Sequence, residues 1–437
     1  AGNSDVRQSP ASPVTIVRSS DKNKMILNSQ AITMSVYLIA TLDTKGIEAG
    51  FVRDRLKEAG VSVTIVDAGC LGEPSIAADI SREAIFEAAG TSLAAVRERN
   101  DRGEAVTKAA EGVTKIITQR HTAGEVDGVL GLGGSAGTMI ATSAMRALPL
   151  GVPKVMVSTL ASGQTRPYVG GKDILMLNSV VDISGINRIS RIVLTQAAGA
   201  MTGMVSRQDN TDAETDKLLI AATMFGVTTA CVQHAQQILE TAGYEVLVFH
   251  ATGNGGEAME GLIADGLIAG VLDITTTELA DELVGGILSA GPDRLTAAGL
   301  HGVPQVISVG ATDMVNFGPP RSIPEKFSDR VFYHHNPTVT LMRTTVDENK
   351  TLGAEIGRKA SQATGPTCIM LPLQGVSAID KGGQPFDDPI ARTALFHAIR
   401  RHHGSAELIE LDQHINDVEF AEATAGRLIE MIKSQSH

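Results

Sequence analysis

Tryptophan is absent from the 437 residues, and aromatic side chains make up only 3% of them. A stacking platform for single-stranded nucleic acid therefore has little to be built from, and the core must be packed from Ala, Val, Ile, Leu and Met. Cysteine is scarce as well. Cys70, Cys231 and Cys368 are far apart, odd in number and without C-x-x-C spacing, which excludes a thiolate zinc site and suits a reducing compartment. They read as small buried hydrophobes. No uninterrupted run of about 18 apolar residues occurs, since the tract from Gly261 to Ile274 is broken by Asp265 and Asp273. Lys/Arg runs are missing too, and the net charge of −12 repels phosphate backbones and anionic membrane surfaces. The expectation is a soluble, cytoplasmic protein with neither nucleic acid nor membrane as partner. The 11 histidines lack H-E-x-x-H or comparable spacing, so no metal site is expected.

What is present is 43% hydrophobic residues, 45 glycines and length for two or three domains. Residues 1–33 are polar and aperiodic and read as a disordered leader or a cloning remnant. From Ser35 onward short apolar runs alternate with amphipathic stretches: VYLIATLD as a strand, GIEAGFVRDRLKEAG as a helix, VSVTIVDAG as a strand, VDGVLGLGG as a strand entering a glycine turn. Ser206 to Asp216 is acidic and free of Val, Ile, Leu and Met, hence a linker. After it the order restarts with KLLIAATMFG, a helix, YEVLVFHATG and a second glycine turn. The pattern predicts an α/β fold of two Rossmann-like domains, 34–205 and 217–437, joined by linker 206–216, with mainly parallel sheets and a cleft between them.

The sharpest motif is Gly131-Leu-Gly-Gly-Ser-Ala-Gly-Thr138, between a strand and a helix. Glycines at Gly133, Gly134 and Gly137 let backbone approach a ligand, and the first N–H groups of the helix, with Ser135 and Thr138, attract an anion such as phosphate. It is not a Walker A loop, because no Lys-Ser/Thr follows the last glycine. The bland alternative is a tight turn that brings helix and strand together. Asp43, Thr44 and Lys45 occupy the first strand-to-helix turn, where Lys45 would neutralise phosphate. Ser162, Gly163, Gln164 and Thr165, and then Asp182 and Asn187, follow later apolar strands with the hydroxyls, amides and carboxylate that orient a sugar or nucleotide; Asp182 can equally be a buried carboxylate satisfied by backbone donors.

Two rival motifs compete. G-x-S-x-G around Ser135 fits a nucleophile elbow, with Asp313 and His334 or His335 as partners that sequence alone cannot pair. Gly253-Asn-Gly-Gly-Glu-Ala258, with Asp273 about 20 residues on, fits a dinucleotide fingerprint. No catalytic residue can be assigned.

Four blocks, Thr41-Leu-Asp-Thr-Lys45, Gly131 to Thr138, Ser158-Thr-Leu-Ala-Ser-Gly-Gln-Thr165 and Ser179-Val-Val-Asp-Ile-Ser-Gly-Ile-Asn187, carry a resemblance. In that order the sequence resembles the ATP-binding amino-terminal domain family of the tomato tobamovirus resistance protein and its bacterial relatives, from Met34 to about the end of the chain. The resemblance implies two α/β subdomains, nucleotide binding with ATP, alone or with Mg, as the cofactor, and self-association as a homo-oligomer. The plant protein carries a further barrel-like domain that this chain is too short to include, so its antiviral activity is not transferred. The expected function is binding of ATP or a related phosphorylated ligand by an enzyme of small-molecule metabolism. The alternatives are a noncatalytic nucleotide-sensing or protein-binding module and a dinucleotide-dependent oxidoreductase.

Overall fold

Strand β1 (Ser35–Ala40) is apolar at every position after the first because both of its faces are covered. Successive side chains point to opposite sides. Tyr37 and Ile39 enter one core with Val129, Ile140 and Met156, and Val36, Leu38 and Ala40 enter another with Val52, Leu56 and Leu194. The computed structural model describes residues 34–163, 165–207 and 217–435. The expected leader 1–33, Gln164 and residues 208–216 of the expected linker lie outside the described residues.

With β1, the strands β2 (Ser62–Asp67), β3 (Gly128–Gly133), β4 (Lys154–Ser158) and β5 (Leu175–Asn178) form a parallel sheet in the order β2-β1-β3-β4-β5. Its helices are α1 (Leu42–Glu58), α2 (Arg82–Ala88), α3 (Leu93–Arg99), α4 (Arg102–Thr122), α5 (Ser135–Arg146), α6 (Arg166–Val169) and α7 (Arg188–Ser206). α1 and α7 cover one face, and α2 to α5 the other. Because α7 runs through Ser206, the first residue expected in the linker is helical.

The second sheet is also parallel and has six strands: β6 (Leu219–Met224), β7 (Glu245–His250), β8 (Gly270–Thr275), β9 (Gln305–Gly310), and, after an insertion, two more. The insertion is an antiparallel sheet of β10 (Met314–Phe317), β11 (Phe332–Asn336) and β12 (Val339–Arg343). β13 (Thr367–Pro372) and β14 (Glu407–Leu411) then complete the order β14-β13-β9-β8-β6-β7. The helices of this half are α8 (Thr229–Thr241), α9 (Asn254–Ala264), α10 (Thr277–Val284), α11 (Ala297–Leu300), α12 (Val346–Ser361), α13 (Pro389–His402) and α14 (Val418–Gln435). The two halves meet where α9 packs on the segment after α6. A Cβ on Gly171 would lie 2.9 Å from the Ala258 Cα, and Lys172 pairs with Asp265 at 2.7 Å, with little solvent exposure on either side. Among the described residues no helix is long and apolar enough to cross a membrane.

Cys231 and Cys368 are buried as expected, but Cys70 is only half-buried. Asp281 on α10 is a buried carboxylate whose Oδ1 accepts from the amides of Leu288 and Asn316 and whose Oδ2 accepts from Asn316 Nδ2 at 2.7 Å. Burial pushes its carboxyl up from 3.8 to about 7. A raised folded-state value means that the folded chain keeps a proton the unfolded chain releases, so stability is full below the ordinary carboxyl range and is lost as pH rises towards 7. We expect the urea unfolding free energy to fall from pH 4 to pH 7, by up to about 1.4 kcal/mol per pH unit for each such proton. Asp281→Asn should flatten that slope in part, since the unpaired Asn316 Oδ1 can turn to accept from the new amide. An identical slope in the variant would assign it elsewhere, for example to Asp313, also pushed up to about 7 by burial and then by the Asp380 charge.

Candidate functional site

In the order β2-β1-β3 the chain leaves β1 towards one side and arrives at β3 on the other, so the loops beyond their carboxyl ends diverge and open a crevice. A pocket of about 290 Å³ occupies it, walled by the first turn of α1, residues 68–71 after β2, the first turn of α5 and one face of α4. Three helices direct their N-termini to its mouth. That of α4 is capped by Asp101, whose Oδ1 accepts from the Glu104 amide at 3.0 Å. Those of α1 and α5, after Thr41 and Gly134, have no side-chain cap. The Leu42 amide is taken by Asp67 at 3.0 Å, whereas the amides of Ser135, Ala136 and Gly137 have no partner among the described residues. The floor is apolar, with Ala105 and Ala109 of α4 facing Ile140 of α5.

The glycines of the loop divide their work. A Cβ on Gly133 would fall 2.6 Å from the Gly137 Cα, and one on Gly137 would fall 3.0 Å from the Leu132 carbonyl. These two permit the close approach of helix and strand. Gly134 differs, because its Cβ would meet only Thr159 Oγ1, at 3.6 Å.

The fourteen residues read from the sequence do not converge on one place. Asp43, Thr44, Lys45, Gly134, Ser135 and Gly137 line the pocket. Within it, Asp43 Oδ2 accepts from the amides of Leu71 at 2.9 Å and Gly72 at 3.2 Å, fixing the loop after β2. Thr44 shares a hydrogen bond with Thr41 at 2.8 Å. Lys45, where α1 kinks, donates its ammonium to the Ile183 carbonyl and so ties α1 to the loop before α7. Gly133 closes β3, and Thr138 is fully buried with its hydroxyl 2.6 Å from that of Ser158. Ser162, Gly163 and Thr165 form the turn before α6, outside the pocket wall. Asp182 is exposed, contrary to the alternative that made it a buried carboxylate, because the segment around it is a surface loop. Asn187 caps α7, accepting from the amides of Ile189 and Ser190 at 2.9 Å. Gln164 lies outside the described residues.

Among the lining residues that escaped the sequence reading are Cys70 and Arg102, which carry a thiol and a guanidinium. Burial, followed by the nearby Asp43 charge, raises the Cys70 thiol above its usual range, against the opposing pull of Arg82, Arg97 and Arg102.

The rival motifs look different in three dimensions. No histidine lines the pocket beside Ser135. Asp313 belongs to the other half, accepting from Ser377 Oγ at 2.8 Å, while His334 and His335 are exposed on β11. In the Gly253 turn the anion position is filled from within, since Glu278 Oε1 accepts from the amides of Gly253 at 2.7 Å and Gly256 at 3.0 Å. Asp273, the expected ribose partner, is fully committed to Arg294 and Thr223. The glycines there make room for a carboxylate of the chain itself: a Cβ on Gly256 would collide with Glu278.

Fold and geometry together define an α/β protein with two parallel sheets and a ligand-sized pocket at the switch point of the first. The chain belongs to the uncharacterised protein family UPF0261, whose N-terminal domain matches residues 34–210 and whose C-terminal domain matches residues 217–432. A UPF0261 protein of Clostridium tetani is 48% identical over 400 residues, covering 91% of this chain and 99% of its own length. The ToMV resistance protein Tm-1(GCR237) of Solanum lycopersicum is 39% identical over 436 residues, covering 94% of this chain but 57% of its own length. A solved UDP-N-acetylglucosamine 2-epimerase aligns over 63% of this chain and 79% of its own, at 10% identity and a TM-score of 0.23, too low to bear on function.

Proposed function

We propose that the protein binds ATP or a related phosphorylated ligand in the pocket at the β1/β3 switch point, as an enzyme of small-molecule metabolism. The observation that carries the reading is the uncapped N-terminus of α5, whose three amides, unclaimed among the described residues, face a cavity at the place where open α/β sheets collect ligands. Asp43 has a carboxylate oxygen, Oδ1, that takes no hydrogen bond among the described residues. It is the residue that would share a Mg ion with the ligand's phosphates, since Mg is held by one or two carboxylates plus phosphate oxygens. Such an ion would offset the repulsion between Asp43 and an anion.

Calorimetric titration of ATP, ADP and NAD into the purified protein tests this. Saturable binding of ATP or ADP is expected, and absence of heat with both, together with tight NAD binding, overturns the reading. Ser135→Ala removes one hydrogen bond to a charged group, worth about 1.5–3 kcal/mol, and should weaken ATP accordingly. Its effect on ester hydrolysis should be nil, because no histidine is among the described residues that line the pocket with the hydroxyl; an esterase activity that the substitution abolishes would restore the nucleophile.

A further inference from the structure

The pocket contains two cations, and they are not equivalent. Lys45 is held by the Ile183 carbonyl. Arg102 makes no hydrogen bond or ion pair among the described residues, although acidic residues flank it in sequence. Asp101 is used in capping α4, and Glu104 pairs with Arg99 at 2.5 Å. Two other arginines near the loop after β2 are similarly committed, Arg82 to Asp67 at 2.8 Å and Arg97 to the Cys70 carbonyl at 2.7 Å. The carboxylates beside it in sequence are thus taken, and one guanidinium is left over.

Helix periodicity puts it at the pocket. Arg102, Ala105, Val106 and Ala109 stand at i, i+3, i+4 and i+7 and form the α4 wall. The three small apolar residues line the depth, and the arginine stands in the first turn, at the mouth. Its charge reaches Cys70 on the neighbouring loop. The mouth therefore carries an amide cradle on α5 and, on the adjoining α4, a five-donor planar fork suited to bidentate contact with phosphate.

We infer that Arg102 is the specificity-determining residue of the site: it clasps a phosphate of the ligand and selects polyphosphorylated over unphosphorylated forms. The inference rests on the phosphate-binding reading of the pocket and goes beyond it by naming the group that reads the ligand's charge. Lys45 has a different part, holding α1 to the loop before α7.

The test compares ATP, ADP, AMP and adenosine on wild type, Arg102→Ala and Arg102→Lys by calorimetry, with circular dichroism to confirm that each variant is folded. Arg102 is exposed, so neither substitution should disturb the core. Arg102→Ala should lose about ten- to a hundredfold in ATP affinity and less than about twofold for adenosine, which lacks the charge that the fork reads. Arg102→Lys should fall between, keeping charge but losing the fork. Equal losses across all four ligands, or unchanged ATP affinity in folded Arg102→Ala, overturns the assignment. If wild type binds ATP and Gly134→Val does not, while Arg102→Ala binds normally, the pocket reading survives and this inference fails. If wild type binds none of the four, the pocket reading itself fails.

Discussion

Replacing Gly134 by Val will weaken ATP binding more than tenfold, a loss of at least about 1.4 kcal/mol, in a protein that still folds. Gly134 sits at φ −83° and ψ −153°, extended backbone open to any residue, and a Cβ there meets only Thr159 Oγ1 at ordinary contact distance. Valine is a poor residue before a helix, so a stability loss of about 1 kcal/mol is expected from the altered cap. Its two methyl groups would stand beside the free amides of Ser135 to Gly137 and keep a phosphate away from them. The neighbouring glycine provides the contrast. At Gly133 the same substitution drives Cβ to 2.6 Å from the Gly137 backbone, so it should damage folding instead of binding. Calorimetry on both variants, with thermal unfolding alongside, separates the two effects. Unchanged ATP affinity in folded Gly134→Val would move the nucleotide site away from this loop.

The architecture was legible because parallel strands covered on both faces read as short unbroken apolar runs. Val36 to Ala40 and Val129 to Leu132 could hardly be anything else between glycine turns and amphipathic stretches. The antiparallel insertion was not legible. His334, His335 and Asn336 are exposed on β11 and give no apolar alternation to follow. The site was half legible. The glycine turn announced itself, but sequence says only that glycines permit an approach, not of what to what. Packing shows that Gly133 and Gly137 admit each other's chain segments, and that Gly134, on the pocket wall, has room where a Cβ would stand.

Charge was the hardest to read. Lys45 and Arg102 are equivalent as letters, and the difference between them is that one has a partner 138 residues away and the other has none among the described residues. A clue did exist: the i, i+3, i+4, i+7 stripe beginning at Arg102 could have been drawn on the long helix from the sequence. What could not be drawn was the commitment of Glu104 to Arg99, which leaves the guanidinium free. The Gly253 turn misled for a related reason. A fingerprint of glycines signals that an anion is received by backbone amides, and here the anion is supplied by Glu278, 25 residues further along the same chain.

That internal anion is one arm of a network centred on Arg294, and substituting Arg294 by Met will produce the largest stability loss of any change considered, about 3–5 kcal/mol. The guanidinium is fully buried. Its Nη1 lies 2.5 Å from Asp273 Oδ2 and 3.2 Å from Glu260 Oε1, its Nη2 lies 2.7 Å from Asp273 Oδ1, and its Nε lies 2.6 Å from Glu278 Oε2. Desolvation alone would favour loss of its proton, but Asp273, Glu278 and Glu260 outweigh that and hold the charge firmly in place. Burial pushes the Glu278 carboxyl upward, against the pull of Arg294. Methionine fills much of the volume and takes away the counter-ion, leaving the carboxylates to repel one another in a medium that solvates them poorly. They would then hold protons more tightly in the folded state than in the unfolded state, so the penalty should grow as pH rises from about 5 to 8. Glu278 also joins Gly253 and Gly256, and Glu260 holds the amides of Leu295, Thr296 and Ala297, so the turn before α9 and the start of α11 should loosen together. Urea denaturation at several pH values, with hydrogen exchange at these amides, measures both effects. A loss below about 1 kcal/mol at pH 8, the range of exposed pairs, would mean that water reaches the carboxylates and that the network is not the keystone of the second half.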